Sequence, residues 1–211
     1  LFDVDEEKIK VIHLSTSIKK KKHLRNLDIE LPENYILFVG ARVEYKNFRF
    51  FVRAIADLLK EDKSLNVVCA GGGAFSSAEI QLFGELGIRN KLFQYQVDDD
   101  TLAHLYANAR VFVFPSLYEG FGMPILESFS NGCPVALSKA SSFPEVAGDA
   151  GLYFNPKDGA SIKRAVAKAI ADEDTRKMFV AKGYERIKNF SWIKTAEETL
   201  AVYKSIPSKW I

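Results

Sequence analysis

The feature that most narrows what this chain can fold into is an alternation. Short apolar runs of strand length are separated by stretches whose apolar residues recur at helical spacing. Runs such as Tyr35-Ile36-Leu37-Phe38-Val39 and Val111-Phe112-Val113-Phe114 have no polar face to give to water. Strands of this kind are buried on both sides, as in a parallel sheet covered by helices above and below. The pattern predicts strands at 11–14, 35–39, 65–70, 92–95, 111–114, 134–137 and 152–154. Helices are expected near 47–60, 77–86, 99–108, 124–131 and 159–171. Right-handed crossovers then wind the chain into a doubly wound, parallel α/β sheet. Two helices, 174–188 and 192–205, follow without another strand, and Pro207 ends the second. Trp192, Ile193, Ala196, Leu200 and Tyr203 give that last helix one apolar face. The expected division is a connecting segment with the first strand at 1–30, the sheet domain at 31–173, and helices at 174–211 that pack on the domain or cross to a neighbour.

Composition excludes several functions. The 211 residues fit one large α/β domain, and 29 basic against 27 acidic side chains leave a formal charge of only +2. That balance gives no argument for nucleic acid or an anionic membrane. The basic run at 19–23 is local, because residues 1–34 carry seven Lys or Arg and seven Asp or Glu. It reads as a solvated connection, with contact to phosphate-bearing lipids as the competing reading. Cys69 and Cys133 are isolated, in no CxxC spacing, so metal binding is not expected and a reducing compartment is. No run approaches a membrane span, no signal peptide is visible, and the chain starts without methionine, as a fragment would.

Familiar nucleotide signatures are missing. Gly71-Gly72-Gly73 follows a strand, but Ser76 breaks GxGxxG, and there is no GKS or GKT. The triple glycine therefore reads as a turn. Asp98-Asp99-Asp100 contains a DxD that could hold a divalent metal, yet it precedes a helical segment where Asp caps well. His13, His23 and His104 are scattered, and no Ser-His-Asp order suggests a nucleophile. Two other stretches carry more chemistry. FVGARVEYKN sets Arg42 and Lys46 four apart in a loop after a strand, and SLYEGFGMPILES places Glu119 and Glu127 where a strand hands over to a helix. In an open parallel sheet that is where ligands bind. A helix start attracts an anion, and Arg and Lys suit phosphate oxygens. Two ionised glutamates would be repelled by the same oxygens and so must face hydrogen-bond donors, of which sugar hydroxyls are one kind. A ligand with phosphate in its middle and hydroxyl-rich ends, a nucleotide sugar, meets both demands. The plainer alternative is that Arg42 and Lys46 are surface cations, Glu119 ends a strand and Glu127 decorates a helix.

The segments FVGARVEYKN, VFPSLYEGFGMPILES, NGCPVALSKASSFPEVAGDAGLYFNPKD and FSWIKTAEETLAVY together resemble the retaining glycosyltransferases of the GT-B fold, family 4. The resemblance covers nearly the whole chain and rests on the ExxxxxxxE signature at Glu119 and Glu127. It implies two facing Rossmann-like domains, of which this chain looks like the carboxyl-terminal, donor-binding half. It implies that Glu119 binds hydroxyls of the transferred sugar and Glu127 those of the ribose. Backbone N–H groups of Phe121, Gly122 and Met123 would reach sugar and phosphate, with Gly40 and Gly120 also in the donor site. Arg42 and Lys46 would neutralise the departing diphosphate in place of a metal. Gln96, Val97 and Leu102 would border the base, and Glu145 matches a family position of unassigned role. The donor would be a UDP-, GDP- or ADP-sugar. The acceptor, a glycan or lipid, would be held by an amino-terminal domain. The setting would be surface polysaccharide or lipopolysaccharide synthesis in the cytoplasm, at the inner face of the membrane if the full enzyme associates peripherally. An isolated half should bind donor weakly and transfer little. The competing readings are a metal-dependent transferase built on residues 98–100 and a non-catalytic nucleotide-sugar-binding module.

Overall fold

The computed structural model describes residues 5–19 and 30–206. Six strands form one sheet: β1 Tyr35–Val39, β2 Asn66–Ala70, β3 Leu92–Tyr95, β4 Val111–Phe114, β5 Val135–Ser138 and β6 Gly151–Phe154. Between and after them run α1 Phe48–Glu61, α2 Ser77–Glu85, α3 Asp99–Asn108, α4 Met123–Ser130, α5 Phe143–Ala147, α6 Gly159–Ala171, α7 Glu173–Ile187 and α8 Trp192–Ser205. The strands are all parallel, in the order β3-β2-β1-β4-β5-β6. After β3 the chain returns across the sheet to pair β4 with β1, Ile36 against Val111 and Leu37 against Phe112. That reversal makes the gap between β1 and β4 the topological switch point of a Rossmann-like fold.

Two cores follow from the period-2 geometry of strands, in which neighbouring side chains point to opposite faces. Ile36, Phe38, Val67 and Cys69 point to one face, under α1 and α6. Tyr35, Leu37, Val68 and Ala70 point to the other, under α3, α4 and α5. Helix α1 buries Phe48, Phe51, Val52, Ile55, Ala56 and Leu59, one stripe at helical spacing. Among the described residues no helix is long and apolar enough to cross a membrane.

Two expectations change. Residues 11–14 lie extended but join no strand. The carbonyl of His13 accepts from Thr195 of α8, and that of Ile18 accepts from Ser130 at 2.7 Å and Asn131 at 3.1 Å. The segment is thus a strap hydrogen-bonded to side chains, and it turns Val11 outward, 64% exposed. The helix α5 arises where a loop was expected, with Pro144 in its first turn. The last helices are also not equivalent. Helix α7 packs on α4 and sends Phe179 into the core, whereas α8 buries none of its described residues. The basic run beyond Lys19, with His23, and Pro207 lie outside the described residues.

Candidate functional site

The loops leaving β1 and β4 start side by side at the switch point and lead to helices on opposite faces of the sheet. A hydrogen bond from the Leu117 N–H to the Tyr45 carbonyl, 2.8 Å, ties them together. Lys46 ends a 3-10 turn, Glu44–Lys46, and Asn47 then takes a left-handed conformation, φ 58°, to start α1. This brings the Lys46 Nζ to 2.6 Å from Glu119 Oε1, with both side chains about six-sevenths buried at 14% and 16% exposure. The ammonium also lies over the Phe114 ring at 5.1 Å. The contact is a close ion pair, and it holds Oε1 at a buried point beside the ammonium.

Glu119 is fixed through its backbone. The Ser141 and Ser142 hydroxyls, in the loop after β5, donate to its carbonyl at 2.6 and 3.0 Å, and Ser142 also reaches the Phe121 carbonyl. The turn closes at Gly122, φ 101°, where a Cβ would stand 3.0 Å from Ile125 and 3.2 Å from Phe143. Only glycine fits both the sign of φ and the space. Helix α4 starts there with no side-chain cap, and Pro124 lies in its first turn. The positive end of α4 therefore opens beside Lys46 and Glu119.

Glu127, one turn into α4, is 6% exposed. Its Oε2 accepts from the hydroxyl of Tyr106 on α3 at 3.0 Å. Burial raises its pKa; the Tyr106 hydrogen bond opposes this, and the charge of Asp99 adds to the rise. Asp99 opens α3, so the Glu127 carboxyl lies near the segment that carries Val97 and Leu102. Those two half-buried side chains pack against the core beneath α4.

Arg42 has other partners than expected. Its Nε donates to Glu79 Oε1 at 2.8 Å, with side chains 4% and 6% exposed. Nη1 donates to the Gly71 carbonyl, and Nη2 to those of Gly73 and Ala74. Phe75 lies under the guanidinium at 4.8 Å. All three nitrogens are engaged, so Arg42 holds the triple-glycine loop that leaves the carboxyl end of β2. A Cβ at Gly72 would stand 2.8 Å from Arg42 Nη1 and from the Gly40 carbonyl, which explains the glycine. Gly40 itself, φ 107°, has nothing within 4 Å of its own Cβ direction. The structure thus gathers Lys46, Glu119, Gly120, Phe121, Gly122, Met123 and Glu127 around one helix start, while Arg42 is engaged with Glu79 and the loop after β2.

Asp98 caps α3, accepting from the Thr101 N–H at 2.8 Å. Among the described residues no group of three His, Cys, Asp or Glu side chains is placed to share a metal ion. Burial pushes the Cys69 and Cys133 thiols up to about 12, so neither is a nucleophile near neutral pH. Glu145 pairs with His13 Nε2 at 2.8 Å, and the His13 ring stands 6.0 Å from that of Phe121. Sequence reasoning missed Glu79, Tyr106, Ser141 and Ser142. The Ser76-x-x-Glu79 capping box was legible, but nothing local points from Tyr106 to Glu127 or from Ser142 to Glu119.

The chain is similar to known proteins in sequence and in fold. The family profile of glycosyl transferases group 1 matches residues 19–186. O-antigen chain mannosyltransferase B of Escherichia coli is 36% identical over 175 residues, 82% of this chain and 46% of that protein. The chain thus spans about half the length of the curated relatives it matches. Among solved structures, a TarM mutant of S. aureus in complex with fondaparinux, alpha-GlcNAc-glycerol and UDP superposes with a TM-score of 0.81 at 17% identity, over 97% of this chain and 41% of that one. The carboxyl-terminal domain of LpcC, a glycosyl transferase group 1 protein of Francisella tularensis, superposes with a TM-score of 0.69 at 22% identity, over 82% of this chain and 94% of that one.

Proposed function

The chain belongs to the glycosyl transferases group 1 family, and on that premise we propose that it is the donor-binding half of an enzyme that moves a sugar from a nucleotide diphosphosugar to a glycan or lipid acceptor. The observation that carries this is the meeting of Lys46 and Glu119 at the uncapped start of α4. A cation and a helix start suit a diphosphate, while a carboxylate, which accepts at about four sites, suits hydroxyls. Glu127, deeper and next to Asp99, takes the ribose, and Val97 and Leu102 border the base. As the glycosidic bond breaks, charge gathers on the departing diphosphate. Lys46 and the α4 amides stabilise it in place, which is preorganised electrostatic catalysis without a metal. Glu119 orients the sugar for transfer with retention of configuration. Arg42 contributes indirectly, by holding the 71–74 loop at the end of β2. The mannosyltransferase relative suggests O-antigen or related polysaccharide synthesis as the setting. On this reading the work is done in the cytoplasm, at the membrane's inner face if the full enzyme associates peripherally.

Calorimetry with UDP, GDP, ADP and their common sugar conjugates, with and without EDTA, tests the reading. One nucleotide should bind selectively and resist EDTA. Lys46→Ala should weaken it by roughly 10-fold or more, the worth of one charge-assisted contact. Glu119→Ala should weaken the sugar conjugate more than the bare diphosphate. Equal losses for both ligands remove Glu119 from the sugar, and EDTA-sensitive binding returns the metal-dependent alternative.

A further inference from the structure

We propose that Tyr106 is a positioning residue for ribose recognition: its hydroxyl fixes one oxygen of Glu127, so that the rest of the carboxylate is presented to the paired hydroxyls of a ribonucleotide. The inference rests on the reading above, in which Glu127 faces the ribose of the donor.

Tyr106 is fully buried on α3, and its hydroxyl donates to Glu127 Oε2 at 3.0 Å. Its ring is held edge-on by Phe112 of β4, with centroids 5.3 Å apart and planes at 86°. The pair is therefore a strut between two helices, anchored in the sheet. A core tyrosine needs only some acceptor for its hydroxyl, and a backbone carbonyl serves at little cost. Tyr35 does this, donating to the Leu105 carbonyl at 2.8 Å. Tyr106, the next residue after Leu105, is paired instead with a carboxylate whose burial is costly. An ionised carboxylate has about four acceptor sites, and Tyr106 fills one. Burial of Glu127 disfavours its ionised form and the Tyr106 hydrogen bond favours it, so Tyr106 also helps keep it an acceptor. What such a carboxylate lacks is a pair of close O–H donors in fixed orientation, and a vicinal diol supplies two.

The test uses the 211-residue chain as wild type, Tyr106→Phe, Glu127→Ala and the double variant. Binding of UDP, GDP and ADP is measured by calorimetry, and the one that binds is compared with its 2′-deoxy and 3′-deoxy forms. Wild type should prefer the ribonucleotide by about 10-fold over a deoxy form, one charge-assisted hydrogen bond's worth. Tyr106→Phe should shrink that preference several-fold and leave the deoxy affinity unchanged. The double variant should lose no more than Glu127→Ala, because the two residues act as one unit. A Tyr106→Phe protein that melts earlier but keeps the full preference makes Tyr106 a core residue only and overturns the proposal. Equal losses for ribo and deoxy ligands do the same. If wild type binds a nucleotide diphosphate without preferring the ribo form, the donor reading stands and this proposal falls. If it binds none while melting cooperatively, both fall. Should Tyr106→Phe not fold, Glu127→Asp carries the test. Its shorter carboxylate keeps the charge but cannot hold Tyr106 and reach the ligand together, so the preference should drop to the Glu127→Ala level. Retention of the preference overturns the strut.

Discussion

A carboxyl group that is almost enclosed and accepts one side-chain hydrogen bond, as Glu127 does, ionises at the expense of the folded state. Its pKa lies above the ordinary 4.5 because burial outweighs the help of Tyr106. The native chain therefore holds that proton more tightly than the unfolded chain. Stability from this group is highest below about the ordinary value, falls as pH rises through the native value, and stays lowered above it. Glu127→Gln keeps an acceptor for Tyr106 and removes the penalty. Thermal melts should place the variant above wild type at about pH 7.5, by roughly 2–4 °C for each kcal/mol relieved, and converge with wild type near pH 4. The same change should weaken nucleotide binding, so one residue separates stability from function.

At the scale of elements, the site is set by loops that sequence periodicity does not describe. The sheet and seven of the helices were legible because a parallel strand must be apolar throughout and a surface helix must carry a stripe. The strap at 11–14 misled because Val11, Ile12 and Leu14 resemble a strand, and only the completed sheet shows that no edge receives them. The short α5 escaped because five residues are too few for a period. Lys46 and Glu119 were legible as a pair of chemistries at two strand ends. Arg42 was not, because its partner Glu79 stands 37 positions away and was readable only as a helix cap. That ion pair joins the loop after β1 to the start of α2. Burial raises the Glu79 pKa, but hydrogen bonds from Ser76 and Arg42 outweigh it and hold the group below its usual range. Glu79→Gln should cost about 3 kcal/mol at neutral pH, since it leaves a buried guanidinium short of its counter-charge. Because the wild-type group contributes above its ordinary pKa and loses that contribution on acidification, the gap in denaturant midpoints should narrow at low pH.

Across the whole molecule, the strap joins the earliest described residues to the latest helix. Thr195 donates to the His13 carbonyl across 182 positions, while Ser130 and Asn131 hold Ile18. Thr195→Val should cost about 1 kcal/mol and speed proteolytic cleavage within residues 9–18, with the sheet left intact. Unchanged cleavage would mean that the ring contacts of His13 with Phe121 and Phe190 hold the strap unaided. The geometry also has a consequence for how the chain is made. The six strands are complete once Phe154 has left the ribosome, and the partners of Ile18 are by then available. The partner of His13 does not yet exist. The strap can fasten at its Ile18 end first but cannot close over Phe121 with its full set of bonds until α8 has been synthesised. The surroundings of the turn that carries Glu119 and Phe121 are thus finished only once α8 has been made, and a chain halted before Ser191 would carry the sheet but an open latch.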